Sequence, residues 1–402
     1  MKALILCFAI LFISIAQSQN SQQIYKNMLS KDKSTQMEAI RLGLLSSDAV
    51  LQEHAVLVVS RLQLQEQQKF ISILLEIHTK VQEEIREGIL YILSMFLPKT
   101  PAVMEVLKNT LENGTAKERE AILTGLTVTR KEAHFALPSM LKIYPKMDNN
   151  IRLLILDRLA SIDSHDIPVL NLLKAALKEK DSSFKAKAAY ALGEIGEKDF
   201  GMISLLKENL SDSDPLVIAE SAEALGKLLE KREESFIRIQ EEISQILWKL
   251  RESEDSQVRI SSMLAFSKMD KKRKDSAIAV LFKDMANEDA FISFQAVRAI
   301  LSIDSKNKAA IRVLLKIAKS GYYADATTFM VQIALDNEEI MDFLKSQASK
   351  TENLLSQRIQ ALYVLSYVNR KTENSLRSFF QDIYREEQNQ RIKEFLEKIL
   401  KK

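Results

Sequence analysis

Apolar residues recur along this chain at one spacing. Phe184, Ala188, Ala191, Leu192 and Ile195 stand at offsets 0, 4, 7, 8 and 11. Val258, Ser262, Ala265, Phe266 and Met269 repeat the pattern, as do Ile292, Ala296, Ala299, Ile300 and Ile303. Upstream, Ile85, Ile89, Ile92, Leu93 and Phe96 fit it as well. Residues so spaced share one stripe of an α-helix. Small residues at offsets 4 and 7 mark places where two helices approach closely. A second amphipathic segment precedes each such helix, as in FISILLEIH (70–78), AVMEVLKNTL (102–111), IPVLNLLKAAL (167–177), GMISLLKENL (201–210), ISQILWKL (243–250) and AAIRVLLKIA (309–318). The predicted unit is helix, turn, helix.

The unit has a register. Asp148, Asp181, Asp214, Asp255 and Asp289 each open the second helix, at steps of 33, 33, 41 and 34 residues. Aspartate there is an N-cap, its carboxylate accepting backbone N–H groups that the helix leaves unpaired. The long step holds a charged insertion, EKREESF, from Glu230 to Phe236. About eleven units fit between Thr35 and the C-terminus. One unit cannot bury its apolar stripe alone, so the units must stack. The last segment, QRIKEFLEKILKK, keeps Ile392, Phe395, Leu396 and Ile399 on one face and charges elsewhere, as a terminal cap requires. Gly193 and Gly196 look at first like a phosphate loop. They follow no strand and end a helix, so that reading fails. Gly193 aligns with Gly226 as a close-approach position, and Gly196 suits the residue just past a helix end.

These residues resemble the HEAT family, and more closely its short bacterial HEAT-like units. The resemblance rests on an Asp at the second helix, V-R soon after, then A-x-x-A-L-G-x-I. DSQVRISSMLAF and DSSFKAKAAYALGEIG carry it best. A period near 33 also suits pentatricopeptide-like and tetratricopeptide units, but the order Asp, V-R, A-L-G belongs to HEAT-like ones. The likeness is strong over 148–306 and weaker before Asp48 and after Ser320. There SGYYADATTFMVQIALDN keeps the stripe without the Asp and Arg. The resemblance implies an all-α fold, a right-handed α-α superhelix (a HEAT-like solenoid) of about eleven helical hairpins, with the second helices on the concave face.

Offset one of the stripe is often basic. Arg86, Arg119, Arg152 and Lys185 follow at steps of 33, and Arg259, Arg358 and Arg391 continue the frame. Two readings fit this column. One is an anion-binding strip for a partner. The other is a structural ladder, each Arg bonding an N-cap Asp or a helix C-terminal carbonyl of a neighbouring unit. Arg158 falls where alanine is usual, so either the helix is rotated there or Arg158 is paired with Asp157 or Asp163. The cluster KKRK (Lys271 to Lys274) reads as a solvated turn, Trp248 as core. Tyr322, Tyr323 and Phe329 sit in the degenerate unit, as core and turn residues or as a ligand contact.

Composition narrows the function. The chain has 402 residues, 46% apolar and 28% charged, with only 9 Gly and 6 Pro. That favours helices over turn-rich sheets and excludes disorder. The N-terminus, MKALILCFAILFISIAQSQN, has a lysine, an apolar run to Ala16, then small and polar residues. It is expected to be a signal peptide over 1–18, with the mature solenoid spanning 19–402 as one domain and no membrane span after removal. The sole cysteine, Cys7, lies in that leader, so a mature cysteine site is excluded. The net charge of +3 is near balance and argues against nucleic-acid binding. His54, His78, His134 and His165 share no metal-ligand spacing, and no nucleotide or hydrolase motif occurs.

The function expected is therefore a non-enzymatic scaffold, periplasmic or secreted, monomeric and without cofactor, that binds a protein partner along its extended surface. A secreted role at host or other surfaces is a variant of this. The resemblance also admits enzymes, since some HEAT-like proteins attach chromophores and others excise alkylated bases. An exported, near-neutral chain is remote from both.

Overall fold

The computed structural model describes residues 19–401 apart from 97–99, 163–164, 232 and 320–322. The expected signal peptide and Tyr322 lie outside the described residues. Two compact units meet in sequence at Glu197 and Lys198. Among the described residues there is no strand.

The first unit opens with α1 (Gln19–Met28). Five hairpins follow: α2 (Lys33–Leu44) with α3 (Ala49–Arg61), α4 (Ile71–Ile77) with α5 (Glu83–Met95), α6 (Pro101–Asn113) with α7 (Ala116–Gly125), α8 (Leu137–Ile143) with α9 (Asn149–Ile162), and α10 (Ile167–Ala176) with α11 (Ser182–Ile195). The second unit has six: α12 (Phe200–Asn209) with α13 (Pro215–Leu228), α14 (Ile237–Lys249) with α15 (Ser256–Met269), α16 (Lys274–Met285) with α17 (Ala290–Ile303), α18 (Lys308–Ala318) with α19 (Tyr323–Ile333), α20 (Glu338–Ser349) with α21 (Leu355–Lys371), and α22 (Arg377–Glu386) with α23 (Gln390–Leu400). Among the described residues there are eleven hairpins, the number of units expected. Within each unit the second helices pack on one another in succession, α3 on to α11 and α13 on to α21, while α23 packs on its own partner α22. This is the stacked-hairpin architecture of a HEAT-type solenoid, all-α over the described residues.

The apolar stripe forms the core of each stack. Phe184, Ala188, Ala191 and Leu192 on α11 are buried, as are Val258, Ala265 and Phe266 on α15. The aspartates cap as expected. Asp255 accepts Val258 N–H at 2.9 Å, Asp289 accepts Phe291 N–H at 2.8 Å, and Asp214 accepts Leu216 N–H at 2.9 Å. Each such cap contributes about 1 kcal/mol. Gly226 on α13 meets α15 at a distance only glycine allows, since a Cβ there would lie 2.8 Å from the Ala265 Cα. Gly196 ends α11 in the left-handed region, at φ 74°, and its N–H bonds Leu192 O at 3.1 Å. At the C-terminus, Ile392 and Leu396 of α23 are fully buried, and Arg377 donates to Leu400 O at 2.7 Å. No described helix is long and apolar enough to cross a membrane.

Candidate functional site

The basic column is held within the fold at every position where its bonds are resolved. Arg86 Nε donates to His78 O at 2.8 Å, and Arg119 Nε to Leu111 O at 2.8 Å. Both acceptors lie eight residues back, near the end of the first helix of the same hairpin. Other residues at this offset likewise reach the end of the preceding helix. Gln36 donates to Met28 O, Gln52 to Leu44 O, and Ser293 to Met285 O. The offset-one side chain thus closes carbonyls that a helix C-terminus leaves open.

The second partner of the column is a carboxylate from the following unit. Arg86 reaches Glu118 at 3.2 Å, Arg152 pairs with Glu179, Arg259 with Asp284, and Arg358 with Glu387. The acids are not the N-cap aspartates, which are engaged in capping. Nor are the carbonyls those of a neighbouring unit. Arg259 is the most enclosed case: it also donates to Ser253 O at 2.6 Å and Glu254 O at 2.8 Å. Its side chain and that of Asp284 are 7% and 1% exposed. Arg152 instead lies over the rings of Tyr144 and Phe184, at 4.8 and 4.3 Å, and reaches the Tyr144 hydroxyl at 3.3 Å. Burial would lower its pKa, yet the Glu179 carboxylate holds it above the ordinary value. Lys185 is half-buried on α11, and Arg391 is exposed on α23.

Arg158 is buried and pairs with Asp157, which also takes Lys187 at 2.8 Å. Among the described residues its Nε and Nη1 have no hydrogen-bond partner; Asp163, the other expected partner, lies outside them. Trp248 is half-buried rather than core. It packs on Phe266 at 5.0 Å between centroids and carries the Arg251 guanidinium at 4.5 Å. The histidines are held locally: His54 and His78 lie 2.8 and 2.6 Å from backbone carbonyls, and His165 Nδ1 lies 2.8 Å from Glu197 Oε2. Among the described residues, no three metal-ligating side chains come together.

The exposed faces of the second helices offer something different. In the second unit, α17 and α19 enclose a groove of about 300 Å³. Phe291, Phe294, Gln295 and Arg298 line one side; Asp325, Thr328, Phe329 and Gln332 line the other. The two sets occupy the same four repeat positions, 34 residues apart. Phe294 and Phe329 are buried as its floor, while Phe291 is 49% exposed at its mouth. The Arg298 guanidinium lies 5.8 Å from the Phe294 centroid and 5.7 Å from that of Phe329, and donates to Gln295 Oε1 at 3.1 Å. Exposed apolar residues recur at matching positions on other second helices of this unit. Leu216 on α13 corresponds to Phe291, and Tyr363 on α21 corresponds to Arg298.

Flat aromatic area, a stacked guanidinium and two amides are groups able to bind and orient a ligand. Of this set, the sequence pointed only to Phe329. Phe291 and Arg298 fall outside the apolar stripe, and their joint exposure on adjacent helices is set by stacking.

Comparisons with known proteins bear on the fold. Residues 137–234 match a family model described as HEAT repeats. Comparison with the curated proteins returned no match. Among solved structures, the chain is similar to yeast importin-beta, at 14% identity over 95% of this chain and 61% of that one, with a TM-score of 0.46. It is similar to an engineered protein at 17% identity, 88% and 99% coverage, and a TM-score of 0.41. Human deoxyhypusine hydroxylase matches at 17% identity, 69% and 97% coverage, and a TM-score of 0.30.

Proposed function

Since residues 137–234 match a family model of HEAT repeats and the same hairpin recurs through both units, we propose that this protein is a non-enzymatic scaffold, exported from the cell, that binds a protein partner on the exposed faces of its second helices. The observation that carries this reading is the groove between α17 and α19, with its exposed Phe291 and its stacked Arg298. Solenoids present long surfaces of this kind. An aromatic anchor beside arginine is the composition that dominates binding energy at protein interfaces. In this reading Arg86, Arg119, Arg152, Arg259 and Arg358 serve the stack rather than the partner, since each donates to carbonyls or carboxylates of the fold.

A photo-crosslinking residue placed at Phe291 tests the binding reading in the cells that make the protein. One defined partner should be captured there, and its capture should fall sharply in an Arg298→Glu background. Equal capture in both backgrounds sinks the proposal. Export rests on the N-terminal pattern Met1–Asn20. Cell fractionation with mass analysis should place the protein outside the cytoplasm and starting near Gln19. A full-length cytoplasmic chain would contradict it.

A further inference from the structure

Glu230 and Lys231, just after α13, and the basic turn after α15 build a second site, on elements separate from the groove. Together with α14 they line a basin of about 640 Å³. Its rim carries Lys231, Lys268, Lys271, Lys272 and Arg273 against Glu230, Glu241 and Asp270. Asp270 and Arg273 satisfy each other at 2.7 Å. Burial would raise the Asp270 carboxyl, yet Arg273 holds it below its ordinary range. The Arg273 fork is further occupied by the rings of Phe266 and Trp248, at 4.7 and 5.7 Å. Among the described residues, the four lysines have no ion-pair partner. On the floor, Ser244 is 8% exposed and its hydroxyl has no hydrogen-bond partner. Its neighbour Gln240 is anchored to Leu229 O at 2.8 Å.

These features select a ligand class. Lysines are point charges on flexible stems, so they match a dense run of anionic groups rather than one planar fork. A basin of this volume holds roughly twenty waters' worth of liquid, far more than a single phosphate needs. The unpartnered Ser244 hydroxyl supplies a donor beneath the charges. We propose that this basin binds an acidic polypeptide segment, a run of Asp and Glu side chains. It is a second contact, independent of the aromatic groove.

Fluorescence anisotropy of a labelled oligo-glutamate peptide on the full mature chain tests it. The peptide should bind, and weaken as salt rises. The double variant Lys271→Glu/Lys272→Glu should weaken it by about tenfold or more. Those lysines are exposed, so the variant should keep the wild-type circular dichroism and melting curve. Ser244→Ala should weaken binding more modestly. Arg298→Glu, in the groove, should leave it unchanged, which separates this site from the partner surface proposed above. Oligo-glutamine binding as tightly as oligo-glutamate would overturn the proposal. So would an unaffected lysine double variant, full displacement by inorganic phosphate at matched charge, or tighter binding of a single-stranded oligonucleotide.

Discussion

At the scale of single residues, the arginine column shows how one position performs two tasks. Its planar fork satisfies carbonyls at the end of one helix and a carboxylate of the next unit together. Removing one member of a buried pair costs about 3–5 kcal/mol, because the other charge stays buried. Arg259→Met should therefore destabilise the second unit strongly, measured by urea melts. Adding Asp284→Leu should recover part of the loss, since the orphaned carboxylate goes while the Ser253 and Glu254 carbonyls stay open. The Glu387 pair gives a pH signature. Burial would raise that carboxyl, yet Arg358 and the Asn389 and Gln388 N–H groups hold it below the ordinary range. A carboxyl lowered by folding contributes stability above its unfolded pKa of about 4.3 and loses it as pH falls through the folded value. Glu387→Gln should thus melt below wild type at neutral pH, and the gap should close on acidification. A gap that stays constant down to strongly acid pH would contradict this.

At the scale of helices, spacing between neighbours is decided by what stands at the contact. Gly226 allows α13 and α15 to meet at a backbone distance that a methyl group would fill. Gly226→Ala must push the helices apart or distort α15, a cost of about 1–3 kcal/mol for overpacking. Gly201, on α12, offers a contrast, because its added Cβ would meet only the Asp199 carboxylate at 3.1 Å. Gly201→Ala should be near neutral or slightly stabilising. Thermal melts of the two variants side by side should differ by several degrees; equal values would show the α13–α15 contact to be softer than its geometry implies. The caps act at the same scale. Asp289→Ala should cost about 1 kcal/mol by releasing the Phe291 and Ile292 N–H groups.

At the scale of the whole molecule, a stacked array has only near-neighbour interfaces, so damage stays local. Hydrogen exchange on Arg259→Met should show lost protection centred on α14 to α17. Helices α5 to α9 should keep their wild-type rates. Uniform loss along the chain would mean a single cooperative transition instead. Truncation before α23 tests the end of the array. It exposes the apolar surface that Ile392 and Leu396 cover, so the shortened chain should aggregate at concentrations where the full chain stays dispersed.

The sequence by itself determined the hairpin, its register and the count of units. Stripe, N-cap and small-residue positions are local and periodic, and each has one structural meaning whatever lies next to it. It also marked the offset-one column, because a basic residue repeating at one step is visible without a fold. Only the tertiary structure decided what that column does, since its acids lie 25 to 32 residues away and differ from unit to unit. The groove and the basin were equally hidden. Phe291 and Arg298 look like ordinary surface residues until two second helices bring their equivalent faces together. The lysines of the KKRK turn look like a solvated corner until the insertion from the preceding hairpin closes the other side. Repetition writes the core into the sequence. Departures from it, being irregular, take their meaning from the packing around them.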